Sequence, residues 1–136
     1  MASTRRFKIL VVDDEVAVTE LVRMNLEHEG YEVLVANDGS EALRVIHSEQ
    51  LDLVILDVVM PNLDGYEVLE VMRAHPETAN IPVIMLTAFP SDVGAVAAFE
   101  HEADSYLSKP FDPEVLLSLV RRLLSEMHPN RLPEEA

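Results

Sequence analysis

ILVVDDE, from Ile9 to Glu15, sets four apolar residues directly against three adjacent carboxylates. An apolar run without alternation suits a strand buried on both faces, as in a parallel sheet covered by helices. Three neighbouring acids at its end are unfavourable, because like charges a few ångströms apart repel by ~1 kcal/mol in water and by more when half-buried. Something held nearby must offset that repulsion.

Outward from this stretch, two kinds of segment alternate. Short β-branched runs occur at Phe7–Val12, Tyr31–Ala36, Leu53–Leu56, Pro82–Thr87 and Ser105–Ser108, and LVIL and VIML are again apolar throughout. Between them lie helical patterns. Val18, Leu21, Val22 and Leu26 share one helix face, and Gly30 stands where a left-handed residue would end that helix. Ser40–Glu49, Tyr66–Ala74, Ser91–Glu102 and Pro113–Met127 follow the same rule. Asp64 with Gly65, and Ser91, read as N-caps; His75-Pro76 ends the third helix and Pro113 suits a first turn. Five strands alternating with five helices predict an α/β fold, a doubly wound (βα)5 parallel sheet with helices on both faces.

Composition narrows the function. A chain of 136 residues fits one domain, and 25 Asp+Glu against 10 Lys+Arg give a formal charge of -15. That charge argues against direct contact with nucleic acid, which needs a basic surface, and against anionic membranes. Cysteine is absent, so no disulfide framework exists. No run approaches the roughly 20 apolar residues of a membrane span, and the opening residues lack a signal-peptide core. The expectation is a cytoplasmic protein. Residues 1–6 read as an N-terminal extension, 7–127 as the domain and 128–136 as a tail or linker stub. The five histidines show no metal-ligand spacing, and the six methionines follow core periodicity or loop positions.

Ligands of an open parallel sheet bind beyond the carboxyl ends of its strands. The first strand ends in Asp13-Asp14-Glu15, the third in Asp57 and the fourth in Thr87, while Lys109 lies just past the fifth. All four places fall on one sheet edge. The second strand is expected at the outer edge, away from the site. Converging carboxylates suit a hard cation such as Mg2+. An ammonium and a hydroxyl beside them suit an incoming phosphoryl group, and a carboxylate can be the nucleophile that accepts it. Taken singly, Asp13 or Asp14 could equally cap the first helix, Asp57 could be a turn residue, and Thr87 and Lys109 could be ordinary strand-end groups. Their joint placement at successive strand ends favours the site.

At these residues the chain resembles the receiver domain of two-component response regulators, the CheY-like family. VVDDE, LVILDVVMPNLDG, VIMLTA and ADSYLSKPF occur in the family's order and spacing, over about Phe7 to Met127. The resemblance implies a flavodoxin-like three-layer sandwich with strand order 2-1-3-4-5. It implies that Asp57 accepts a phosphoryl group from a sensor histidine kinase or a histidine phosphotransfer protein. It makes Asp14 the direct Mg2+ ligand, Asp13 a ligand mainly through water, and the main-chain carbonyl of Val59 a third. Thr87 matches the switch hydroxyl, Lys109 the phosphate-pairing lysine and Tyr106 the aromatic that rotates on activation; the bond before Pro110 is usually cis in the family. Such a protein modifies itself and is not an enzyme with a separate substrate.

Two departures stand out: Glu102 where the family usually has Gly, and Phe89-Pro90 after LTA. Its DNA-binding relatives commonly pair through the fourth helix, fifth strand and fifth helix by salt bridges. Ser105 and Leu119 occupy two of those positions. The expectation is therefore an apolar contact there, either a homodimer or docking to a downstream protein target, centred near Leu119. An aspartate-nucleophile phosphatase would need D-x-D on the first strand. A flavodoxin-like redox carrier would want a Ser/Thr/Gly-rich phosphate loop where the three acids stand.

Overall fold

The computed structural model describes residues 6–88 and 103–129. The expected helix Ser91–Glu102, the departures at Phe89, Pro90 and Glu102, and the segments 1–5 and 130–136 lie outside the described residues.

The elements run β1 (Lys8–Val12), α1 (Val16–His28), β2 (Glu32–Ala36), α2 (Gly39–Ser48), β3 (Leu53–Asp57), α3 (Gly65–Ala74), β4 (Val83–Thr87), β5 (Ser105–Ser108) and α4 (Pro113–Met127). The helix labelled α4 is the fifth helix of the sequence reading. The strands form one parallel sheet in the order β2-β1-β3-β4-β5, as expected. β2 lies at one edge and β5 at the other.

Alternation within each strand explains the unbroken apolar runs. Ile9, Val11, Leu53, Ile55, Ile84 and Leu86 face one side, where Val22 and Leu26 of α1 and Leu116, Val120 and Leu124 of α4 cover them. Leu10, Val12, Val54, Leu56, Val83 and Met85 face the other, under Ala42 and Ile46 of α2 and Val68, Leu69 and Met72 of α3. Every position of β3 and β4 is buried, so neither strand has room for a polar residue until its last one.

The helix boundaries follow local chemistry. Asp38 caps α2 by accepting the Glu41 N–H at 2.7 Å, and Asp64 forms a reciprocal capping box with Glu67 on α3. Asp112 caps α4, with Pro113 in its first turn. α1 ends as expected on Gly30 at φ 97°. The Gly30 N–H bonds Glu27 O and the Tyr31 N–H bonds Leu26 O, a Schellman motif whose flanking Tyr31 and Leu26 share one core cluster.

Several details differ from the sequence reading. Asp57 is the last residue of β3, and Gly39 and Gly65 each open their helix one position early. Neither Asp13 nor Asp14 caps α1; Glu15 holds the N-cap position without a side-chain bond. Met24 is exposed on α1 and follows no core stripe. On α4, Leu119 is half-buried against the core, where an exposed centre was expected, and only Val115 and Met127 are exposed among its large apolar residues. The reason is that α4 packs against both the sheet and α1, which widens its buried stripe.

Candidate functional site

The carboxyl edge of the sheet gathers the expected residues. Asp13 follows β1, Asp57 ends β3, Thr87 ends β4 and Lys109 follows β5. Asp13, Asp57 and Thr87 are all buried. Asp14 is exposed, and one oxygen from each of Asp13, Asp14 and Asp57 lies within 4.8 Å of the others.

Lys109 reaches into this cluster. Its Nζ stands 2.8 Å from Asp13 Oδ2, 3.3 Å from Asp57 Oδ2 and 3.5 Å from Glu15 Oε1. One ammonium thus serves three carboxylates. That supplies part of the offset that the three adjacent acids require, and a metal is not its sole source. Asp13 Oδ2 is a fully buried oxygen whose close partner is the Lys109 ammonium. Asp13 Oδ1 accepts the Glu15 N–H at 2.9 Å.

The charges leave a mark on acidity. Burial, and then the neighbouring Asp13 charge, push Asp57 up to about 6 from 3.8, against the opposing pull of Lys109 and of the Val59 N–H. Burial alone would lower Lys109, but Asp13 and Asp57 outweigh it and hold the ammonium above its ordinary value. Neutralising part of this cluster is therefore favourable. An all-oxygen donor set of three carboxylates, two of them buried, fits a small hard divalent cation such as Mg2+.

The backbone fixes the frame. Val59 N–H donates to Asp57 Oδ1 at 3.3 Å, while the Val59 side chain is exposed. Lys109 N–H donates to Thr87 O at 2.7 Å, tying the end of β4 to the residue beyond β5. Tyr106 pairs in register with Met85 and lies half-buried against the second core cluster. The Lys109-Pro110 bond is cis. Among the described residues, Val59 is exposed beside Asp57, and Val16, Leu21 and Met24 are exposed along α1.

Three participants escaped the sequence reading. Glu15 contacts Lys109, although its position in DDE could have suggested this. Asn37 donates its side-chain amide to Asp13 O at 3.0 Å across a separation of 24 residues. Gly65 packs on the main chain of Asp57 so closely that a methyl there would overlap the Asp57 carbonyl oxygen. No spacing rule carries those last two contacts, because they are tertiary. Among the described residues no histidine lies in the site; His47 and His75 meet edge to face at 5.3 Å, and the rings of His128 and Phe7 meet at a tilt.

Comparison with known proteins identifies the family. Residues 9–121 match the family model described as response regulator receiver domain. The DNA-binding dual master transcriptional regulator RpaA of Synechocystis is 41% identical over 129 residues, covering 95% of this chain and 53% of that protein. This chain thus spans about half the length of the curated relatives it matches. A putative response regulator from Chloroflexus aurantiacus superposes with TM-score 0.85 at 39% identity, covering 89% of this chain and 99% of that one. The receiver domain of a sensor histidine kinase from Pseudomonas aeruginosa, solved with a magnesium ion coordinated in its active site cleft, gives TM-score 0.83 at 27% identity over 89% of this chain and 99% of that one. Among the described residues no helix is long and apolar enough to cross a membrane. The chain belongs to the response regulator receiver domain family of two-component systems, with a CheY-like fold.

Proposed function

We propose that this chain is a phosphorylation-driven switch that works in the cytoplasm and takes a phosphoryl group onto Asp57 from a phosphohistidine of a sensor histidine kinase or phosphotransfer protein. The observation that carries this is Asp57 itself: a buried carboxylate at the end of a central strand, facing an ammonium at 3.3 Å and two further acids. A carboxyl group titrating near 6 is mostly ionised at neutral pH and so available as a nucleophile.

In the transfer, an Asp57 carboxylate oxygen forms a bond to phosphorus as the phosphorus–nitrogen bond of the donor breaks. The electron pair stays on the imidazole, which then takes up a proton. Lys109, now shared between Asp13 and Asp57, turns to the phosphoryl oxygens, and the Thr87 hydroxyl donates to one of them. Asp14, Asp57 and the main-chain carbonyl of Val59 would hold Mg2+, with Asp13 acting through water. Bound there, the cation neutralises the charge that develops on the phosphoryl group. Tyr106 and the segment at Pro110 carry the change outward. The protein acts on itself and turns over no separate substrate.

Incubation with acetyl phosphate and Mg2+ should add one phosphoryl group, located by peptide mass spectrometry at Asp57. No uptake, or uptake elsewhere, would overturn the assignment. Repeated across a range of Mg2+ concentrations, Asp14→Ala should need more Mg2+ than Asp13→Ala, because a direct ligand contributes more than one acting through water.

The exposed apolar side chains of Val16, Leu21 and Met24, on the helix that starts just after the acids, suit a protein donor. Met24→Glu should slow transfer from the cognate kinase and leave acetyl phosphate labelling unchanged; equal slowing of both would remove the docking role. The half-length match to DNA-binding regulators favours one further reading, in which this receiver governs a fused effector domain. In that case contact with nucleic acid falls to the effector, and the β5–α4 face of the receiver meets that effector, a separate protein target or a second copy.

A further inference from the structure

We propose that Asn37 is a positioning residue that sets the metal affinity of the acid pair, an inference that rests on the function proposed above. β1 ends at Val12, so Asp13 is already outside the regular ladder. Two consecutive residues nevertheless grip its main chain. Ala36 O accepts the Asp13 N–H at 3.2 Å, and the Asn37 side-chain amide donates to Asp13 O at 3.0 Å. A side chain thus extends the β1–β2 pairing by one step beyond the sheet.

The gripped carbonyl belongs to the peptide that joins Asp13 to Asp14. Holding it fixes the plane of that peptide, and the plane sets the direction in which the Asp14 side chain leaves the backbone. Asp13 has its carboxylate bonded to the Glu15 N–H and paired with Lys109. Asp14 is exposed and is aimed by its backbone. Misplacing this one peptide would therefore move the acid that most needs placing.

Asn37 is itself well held. Its N–H donates to Glu41 Oε1 at 2.8 Å, and Glu41 sits in the first turn of α2, which Asp38 caps. Its amide nitrogen also lies 3.5 Å from Oγ1 of the buried Thr19. Asp13 O can only accept, so it is the NH2 end of the amide that must face it. Groups that orient ligands in this way are worth about 10–100-fold in metal affinity.

Titration of the full chain with Mg2+ alone, by calorimetry, tests this. Asn37→Ala should weaken Mg2+ about tenfold, while its phosphorylation rate at saturating Mg2+ stays close to wild type. A purely structural role would lower the melting temperature without that split. Asn37→Asp supplies a test of sign that needs no cavity. By Coulomb's law alone an added carboxylate should tighten Mg2+; the positioning role requires it to weaken, because a carboxylate facing Asp13 O repels the very oxygen it replaced a donor for. Thr19→Val should bind Mg2+ as wild type does, since the long Thr19 contact is not the one that acts. Tighter binding by Asn37→Asp, or unchanged binding by a folded Asn37→Ala, would overturn the proposal while leaving the phosphorylation reading intact. Absence of Mg2+ binding by wild type would overturn both.

Discussion

Asp57→Asn is expected to abolish phosphoryl uptake and, in the same molecule, to stabilise the metal-free protein at neutral pH. The first effect follows from removing the nucleophile. The second follows from the electrostatics of the edge. Asp57 titrates at about 6 in the folded protein against 3.8 when unperturbed. The folded state therefore holds that proton more tightly than the unfolded chain does. Stability from this group is fully present below pH 3.8 and is lost as pH rises through about 6. At about 1.4 kcal/mol for each pH unit between the two values, the loss above the folded value amounts to up to about 3 kcal/mol. Asparagine keeps the shape and cannot ionise, so denaturation curves at pH 7 should show the variant more stable by up to that amount and without this group's loss across the window. Mg2+ should narrow the gap by stabilising wild type more than the variant, which keeps Asp13 and Asp14 but lacks the third carboxylate. Parallel pH profiles for the two proteins would show that the buried charge is not under strain.

Gly65→Ala should be strongly destabilising, against the usual direction. Gly65 is the first residue of α3, and within a helix alanine is favoured over glycine by roughly 0.5–1 kcal/mol. Here the added methyl would overlap the carbonyl oxygen of Asp57 and crowd the Val58 Cα, and both are main-chain atoms that cannot rotate away. Relief requires moving the end of β3 relative to α3 and disturbing the Gly65 N–H bond to Val58 O at 2.9 Å. Overpacking costs about 1–3 kcal/mol, and occasionally more where the neighbour is backbone that cannot move aside. Steric cost therefore outweighs propensity. Denaturant midpoints should fall accordingly, and acetyl phosphate labelling should fall with them, because the displaced segment carries Asp57. A Gly65→Ala protein as stable as wild type would mean that α3 can slide outward freely.

The strand cores were legible because both faces of this sheet are covered: LVIL and VIML have no polar position, and burial on the two faces is complementary. Asp13, Asp57, Thr87 and Lys109 were legible because parallel strands put their carboxyl ends on one edge, so order along the chain converts to proximity. Leu119 failed for a physical reason. One-dimensional periodicity counts the stripe facing a sheet, and it cannot see α1 lying beside α4 on the same face. Lys109 was read as a partner for a future phosphate, whereas it already bridges Asp13 and Asp57. Asn37 escaped, because a side chain that completes a neighbouring strand's pairing looks locally like any loop asparagine.

The burial gradient across the sheet has a consequence for how the molecule breathes. β3 is buried at each of its positions and flanked on both sides, whereas β5 is half-buried throughout and lies at an edge. Local opening free energies fall from such a centre to such an edge. Amides of the buried internal strand that ends in Asp57 are therefore expected to exchange later than those of β5, which Lys109 follows. The acceptor keeps its register while its counter-charge can be withdrawn and returned many times between unfolding events, so the fold divides the site into a fixed anvil and a replaceable clamp.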